Sequence, residues 1–114
     1  MGSGPQQHFG GIMKIQKWDK AEPMTEDAIR SIHTPADQFR VSKSTYKANT
    51  KFSGSMKSGR RYVIQGRCLF KFSENEIIIE SGQYADLECG KYKFQTLSEL
   101  DTIVVKVWDL SRWL

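Results

Sequence analysis

The sequence predicts an all-β sandwich or barrel of short strands, preceded by one short N-terminal strand and one short helix. From Phe39 onward, apolar and polar residues alternate in short runs that are rich in β-branched and aromatic side chains. Turn signals such as Ser81-Gly82 and Cys89-Gly90 separate these runs, at spacings of roughly 8–12 residues that are typical of all-β domains. A chain of 114 residues suits one domain.

The segment before Phe39 has three parts. Residues 1–12 contain four glycines and no charge, so we expect an expression tag or disordered leader there and a single domain over residues 13–114. Residues 13–18 alternate as a short strand does. Thr25 is a suitable N-cap with two acidic residues after it, which predicts a helix that ends near Ile32, before Pro35.

The predicted strands of the main domain are short. Residues 49–59 are rich in Asn, Ser and Gly and are interpreted as turn and irregular strand. The regular strands are expected at residues 39–46, 61–66, 67–72, 76–79, 84–87, 91–95 and 103–108.

Composition limits the classes of function. The net charge of +4 comes from 17 Lys and Arg against 13 Asp and Glu, which fits either an anionic ligand or dispersed surface lysines. Two cysteines without a CxxC motif indicate neither a disulfide framework nor a zinc site. With no apolar segment of membrane-spanning length and no secretory signal pattern, we expect a cytoplasmic protein with no membrane partner. Residues 91–94 interleave lysines with aromatics, but strand alternation explains this pattern better than nucleic-acid binding does.

Several turns have the order and spacing of a known family. The run Tyr62-Val-Ile-Gln-Gly66 ends a predicted strand in a glycine, and Gly82 and Gly90 enclose seven residues. These features resemble the two sequence motifs of small single-domain cupins, with Glu88 in the place of the second motif's proline and Lys93 in the place of its histidine. The resemblance covers about 70 residues and implies a cupin-like jelly-roll β-barrel.

The metal ligands that this resemblance would imply are absent. The glutamate place falls on Gly59, the fourth ligand place falls on Lys93, and the two histidine places fall on Phe52 and Gly54 or on Ser53 and Ser55. None of these residues is a usual ligand of iron, manganese or zinc. His33 is the sole histidine outside residues 1–12. We therefore expect no metal and no cofactor.

Cations stand near the places that a metal would occupy. If strand parity is counted from Gly59, Arg61 faces inward, and Lys93 faces inward if it occupies the histidine place. Two cations in a cavity favour an anionic or polar ligand, since burial of unpaired charge is costly. The opposite, outward orientation stays open, because one bulge around residues 54–59 would invert the parity. The candidate ligand-binding residues are Arg61, Lys93, Tyr62, Tyr92, Cys68 and Phe52.

Three functions follow as hypotheses. The first is a metal-independent barrel that binds a small polar or anionic molecule. The second is a metal-free isomerase, epimerase, lyase or cyclase that uses Lys93 or a tyrosine for proton transfer, although the His/Asp/Tyr pattern of sugar-nucleotide epimerases of the wider family is not evident in the sequence. The third is an interaction scaffold, since barrels of this kind often form homodimers. Catalytic residues cannot be assigned from the sequence.

Overall fold

The computed structural model describes residues 13–113, which form two antiparallel sheets with one helix packed outside them. The elements, in chain order, are β1 (Gln16–Lys17), α1 (Glu26–Ile32), a 3-10 turn (Ala36–Gln38), β2 (Phe39–Tyr46), β3 (Lys51–Met56), β4 (Gly59–Gln65), β5 (Arg67–Lys71), β6 (Glu76–Glu80), β7 (Gln83–Leu87), β8 (Gly90–Thr96), β9 (Thr102–Asp109) and a second 3-10 turn (Leu110–Trp113).

The strands pair in the nested order of a jelly roll. Sheet A has the order β1-β7-β4-β9-β2 and sheet B the order β3-β8-β5-β6. Strand β2 pairs with β9, β3 with β8, β4 with β7 and β5 with β6, all antiparallel. One long hairpin, folded over on itself, gives this pattern. The prediction of an all-β jelly-roll-like fold with a short N-terminal strand and one helix is confirmed.

Two elements differ from the prediction. Strand β3 is regular, whereas turn and irregular strand were expected over these residues. Phe52, Gly54 and Met56 face inward at every second position, and the whole strand pairs with β8. Strand β1 is shorter than expected, with two residues that pair with β7. The helix begins as predicted, since the Thr25 hydroxyl oxygen accepts a hydrogen bond of 3.1 Å from the Ala28 N–H.

Two glycines lie where the chain crosses between the sheets, Gly66 from β4 to β5 and Gly82 from β6 to β7. Gly66 and Gly82 have φ angles of +86° and +85°, a region that side-chain-bearing residues reach only with strain. At Gly66 a Cβ atom would also lie 2.5 Å from the Thr102 hydroxyl oxygen. The chain needs glycine at this corner, where it passes from β4 in one sheet to β5 in the other.

Apolar side chains fill both faces of sheet A. Between the sheets lies a core that includes Val63, Cys68, Phe70 and Phe94. On the opposite face of sheet A, helix α1 contributes Ile29 to a second cluster. Strand β9 is therefore apolar along most of its length, because both of its faces are covered.

The termini are largely outside the described residues. The expectation of a tag or leader at residues 1–12 falls outside them, as does Leu114. Within residues 13–113, the helical segments are too short and too polar to span a lipid bilayer.

Candidate functional site

Arg61 is the most unusual side chain of the fold, because it is a cation inside the sandwich. Strand β4 directs it toward sheet B, in the same row as Gly59 and Val63. Its side chain lies at the open end of the sandwich, and only 3% of the residue is exposed. The β-bulge of β4 lies between Val63 and Gln65, beyond Arg61, so the inward parity counted from Gly59 is correct.

The guanidinium of Arg61 has poor hydrogen-bond partners. Its Nε is buried with no acceptor among the described residues. Its Nη2 donates to the Met56 sulfur at 3.7 Å, and its Nη1 donates to the Arg60 carbonyl oxygen at 3.5 Å. The Trp108 ring lies 5.1 Å from its central carbon. Burial lowers the pKa of Arg61, and the nearby Tyr92 and Tyr46 oppose that shift.

A cleft of about 290 Å³ opens beside this guanidinium. Arg40, Lys57 and Lys106 place three further cations there. Two of them stand against aromatic rings: the Arg40 guanidinium is 5.6 Å from the Trp108 centroid and the Lys106 ammonium is 5.7 Å from the Tyr46 centroid. Among residues 13–113, those that line the cleft include no Asp or Glu. They are Arg40, Ser55, Met56, Lys57, Arg61, Tyr92, Lys106 and Trp108.

Of the other predicted ligand-binding residues, Tyr92 lines this cleft, whereas Phe52 and Cys68 lie in the core. Phe52 stacks on Phe94, with centroids 4.9 Å apart. Cys68 is completely buried, and burial raises the pKa of its thiol to about 12. A thiol with such a pKa is inert as a nucleophile at neutral pH.

Two predicted residues do not reach the cleft. Lys93 is exposed on the outer face of sheet B, since Tyr92 and Phe94 take the inward positions of β8. Of the two orientations that the sequence left open for Lys93, the structure shows the outward one. Tyr62 is buried, but on the opposite face of sheet A, where its neighbours include Ile29 of the helix.

Tyr62 belongs to a polar cluster that the sequence did not reveal. Its hydroxyl lies 2.8 Å from His33 Nε2 and accepts a hydrogen bond of 3.2 Å from Arg60 Nη1. Arg60 also donates to both carboxylate oxygens of Asp86, at 2.8 and 3.1 Å, and its guanidinium lies 4.7 Å from the Tyr84 ring centroid. This cluster borders a second cleft of about 320 Å³.

The electrostatics of this cluster favour a neutral histidine. Burial and the neighbouring Arg60 lower the pKa of His33, against the opposing effect of Asp86 and Asp109. Burial also raises the pKa of Tyr62, which Arg60 partly offsets. A neutral His33 can accept the Tyr62 proton in a hydrogen bond at Nε2.

Neither cleft has the chemistry of a metal centre. Within the described part of the chain, no group of three or more His, Cys, Asp or Glu residues is arranged to hold a metal ion. The places aligned with cupin ligands hold Phe52 and Gly54 facing inward, Gly59 beside Trp108, and Lys93 facing outward.

Comparisons with known proteins support the fold alone. No family model matches the chain, and no curated protein matches it. The chain is similar to the crystal structure of protein NMB1881 from Neisseria meningitidis, with a TM-score of 0.54 and 9% sequence identity. The match covers 76% of this chain and 98% of that one. At this identity the likeness extends to the two-sheet architecture and not to a shared activity.

Proposed function

We propose that this protein binds a small anionic molecule in the cleft at Arg61, without a metal. The observation that carries the proposal is a guanidinium that is almost completely buried and that has, within residues 13–113, neither an acceptor for its Nε nor a carboxylate lining its cleft. A structural arginine at such depth is normally paired, because an unpaired buried charge costs several kcal/mol, on the order of a whole domain's margin of stability.

An anion would resolve this electrostatic imbalance. It would offset the desolvation of Arg61 and would also face the charges of Arg40 and Lys106 at the mouth of the cleft. The strongest hydrogen bonds of arginine are those to an anionic oxygen, so the gain is concentrated at Arg61. The surrounding rings exclude water from the guanidinium, which strengthens the interaction further.

Membership of the cupin superfamily is part of this proposal. Its support is the nested strand pairing together with positive φ angles at Gly66, Gly82 and Gly90, the three glycines of the motif resemblance. In this proposal the barrel retains the family's ligand-binding end and replaces metal coordination with a cationic side chain.

Thermal denaturation at constant ionic strength tests anion binding. Phosphate, sulfate and acetate are each compared with chloride, for the unaltered chain and for Arg61→Met. An anion at 100 times its Kd should stabilise the unaltered chain by about 2.7 kcal/mol, which raises Tm by several degrees. Arg61→Met should abolish that rise.

Arg67→Gln is the matched control, since it removes the same charge from an exposed arginine that faces Glu80 and does not line the cleft. It should keep the full response to anions. An equal response in Arg61→Met and in the unaltered chain would refute the proposal, as would the absence of any anion-specific stabilisation.

A metal-free enzyme is the second candidate, and the His33–Tyr62 contact of 2.8 Å is the observation that favours it. With Asp86 nearby through Arg60, these residues supply the His, Asp and Tyr types of a proton-transfer site, although they lie outside the barrel. If this cleft binds a substrate, compounds that stabilise the protein should lose their effect in Tyr62→Phe and retain it in Arg61→Met. The reverse pattern would exclude the second candidate.

A further inference from the structure

The hydrogen bonding of the Arg61 guanidinium limits the chemical class of the ligand. This inference rests on the proposed function. In the part of the chain that the structure describes, Nε has no acceptor, and Nη2 donates to a thioether sulfur at 3.7 Å. Nε–H and Nη2–H form one planar edge with two parallel donors. The two oxygens of a carboxylate match this edge in a bidentate pair.

Met56 holds the place that one of those oxygens would take. Sulfur is a weak acceptor, so its contact with a guanidinium is a poor substitute for an anionic oxygen. Methionine is also unbranched and has three rotatable bonds, so its side chain can move aside at little cost. A carboxylate that displaced the thioether would exchange a weak hydrogen bond for a strong one.

The size of the cleft and three of its walls favour a ligand larger than a bare carboxylate. A volume of about 290 Å³ lies near the lower end for small-molecule sites, whereas one water occupies about 30 Å³ of the liquid. An inorganic anion or acetate would leave most of this space to water. Met56, Tyr92 and Trp108 form apolar and aromatic walls next to the cations, and a flat apolar body fits beside them.

We propose that the ligand is a small aromatic carboxylate, whose carboxylate replaces the Met56 sulfur at the Nε and Nη2 atoms of Arg61. Its ring lies against Tyr92 and the displaced thioether, which favours contact with an aromatic edge. Arg40 and Lys106 then face the anion from the cleft mouth. In this proposal, specificity comes from the two parallel donors of Arg61 and from the Met56 side chain that moves aside.

Calorimetric titration with four simple probes tests this assignment. Benzoate carries both features, benzamide has the same shape without the charge, acetate lacks the ring, and phosphate is an anion of another geometry. Benzoate should bind at least tenfold more tightly than each of the other three. The indole N–H resonance of Trp108, followed by NMR, should shift on addition of benzoate, and this locates the binding event.

Two variants separate the parts of the proposal. Arg61→Met should abolish benzoate binding. Met56→Leu retains an apolar side chain of similar volume but removes the sulfur acceptor, so benzoate should bind as tightly as before or more tightly. Met24→Leu, on the opposite face of sheet A, is the matched control and should change nothing.

The outcomes distinguish this inference from the function on which it rests. If phosphate or acetate binds as tightly as benzoate and depends on Arg61, the aromatic assignment is wrong and anion binding stands. If benzamide binds as tightly as benzoate, or if Arg61→Met keeps benzoate binding, the carboxylate pairing at Arg61 is wrong. If no probe binds, both proposals fail.

Discussion

Arg60 and Arg61 are neighbours in β4, yet their guanidiniums lie on opposite faces of sheet A in opposite electrostatic settings. Arg60 has a bidentate carboxylate partner in Asp86 and stands against two tyrosine rings. Arg61 is more deeply buried, and its hydrogen-bond acceptors are the Met56 sulfur and the Arg60 carbonyl oxygen. Its Nε has no acceptor among residues 13–113. The hydrogen bond that Arg60 donates to Asp86 is the largest cause that raises the pKa of Arg60, whereas burial lowers the pKa of Arg61.

This contrast separates a structural cation from one suited to a ligand. Arg60 has its counter-ion in the fold, so it ties strand β7 to β4 and holds the Tyr62 hydroxyl. Arg61 has no such counter-ion among residues 13–113, so the fold maintains a charge that it does not itself neutralise. Substitutions at residues around both arginines test this difference.

Gly59→Ala should cause the largest loss of stability, because the added Cβ atom would crowd the residues packed around Arg61. The cations of the cleft are all retained in this variant. A Cβ atom at Gly59 would lie 2.9 Å from the Trp108 ring and from the Val107 carbonyl oxygen, and 3.2 Å from Arg61 Nη1. We expect a loss of about 2 kcal/mol or more in the free energy of unfolding, measured with urea. Gly54→Ala is the control, since its Cβ would make contacts of 3.4 Å with Tyr92. Equal stability in both variants would contradict the prediction.

Arg60→Met and Arg61→Met should change stability in opposite directions. Arg60→Met removes the partner of Asp86 and the donor to Tyr62, which should cost about 1 kcal/mol at a partly exposed pair. Arg61→Met replaces an unpaired buried charge with an apolar side chain, which should stabilise the ligand-free protein by about 1 kcal/mol. Urea unfolding in chloride buffer measures both. If both variants are destabilised, the two arginines do not differ as described.

On the face of sheet A where Arg60 lies, His33 should make the stability of the protein depend on pH. Its pKa is lowered from 6.5 in the folded protein, so the unfolded chain binds the proton more readily. Stability from this residue is present above pH 6.5 and is lost as the pH falls below that value. In His33→Gln, the pH dependence of Tm between pH 7 and pH 5 should be flatter than in the unaltered chain. Parallel profiles would show that His33 does not contribute.

Lys93→Gln should have the smallest effect. This side chain lies on the outer face of sheet B, so its loss should change stability by less than about 0.5 kcal/mol and leave anion binding unaltered. Calorimetric titration of this variant with benzoate measures the second effect. A loss of binding comparable to that of Arg61→Met would place Lys93 in the site after all.

The sequence predicted the fold well, because local signals determine most of it. Alternation within each strand, the glycine turns and the Thr25 cap all depend on residues close together in the chain. Strand β3 was expected only as turn and irregular strand because its Ser and Gly residues resemble a turn, and the apolar partners that hold it in place are supplied by β8.

The candidate site was predicted only in part. A count along one strand directed Arg61 inward only if no bulge interrupted it, so the sequence left its orientation open, and the structure has it facing inward. Lys93 was placed by alignment with a family motif, although the alternation of Tyr92 and Phe94 with lysines was a better local signal for its outward orientation. The His33–Tyr62 contact joins residues 29 positions apart through the packing of a helix on a sheet, which no short pattern in the sequence encodes.

The nested pairing of the strands has a consequence for how the chain acquires its structure. Sheet B has all its strands once Thr96 has been synthesised, but sheet A needs β9, which ends at Asp109 and lies between β4 and β2. Strand β2 therefore cannot pair until β9, more than fifty residues later in the chain, has been synthesised. Such long-range pairings place this domain among the slow folders, with folding times of milliseconds to seconds, on the order of those of other all-β sandwiches. Until β9 joins, the apolar strand β4 has an open edge, and an open edge of this kind can pair with another chain.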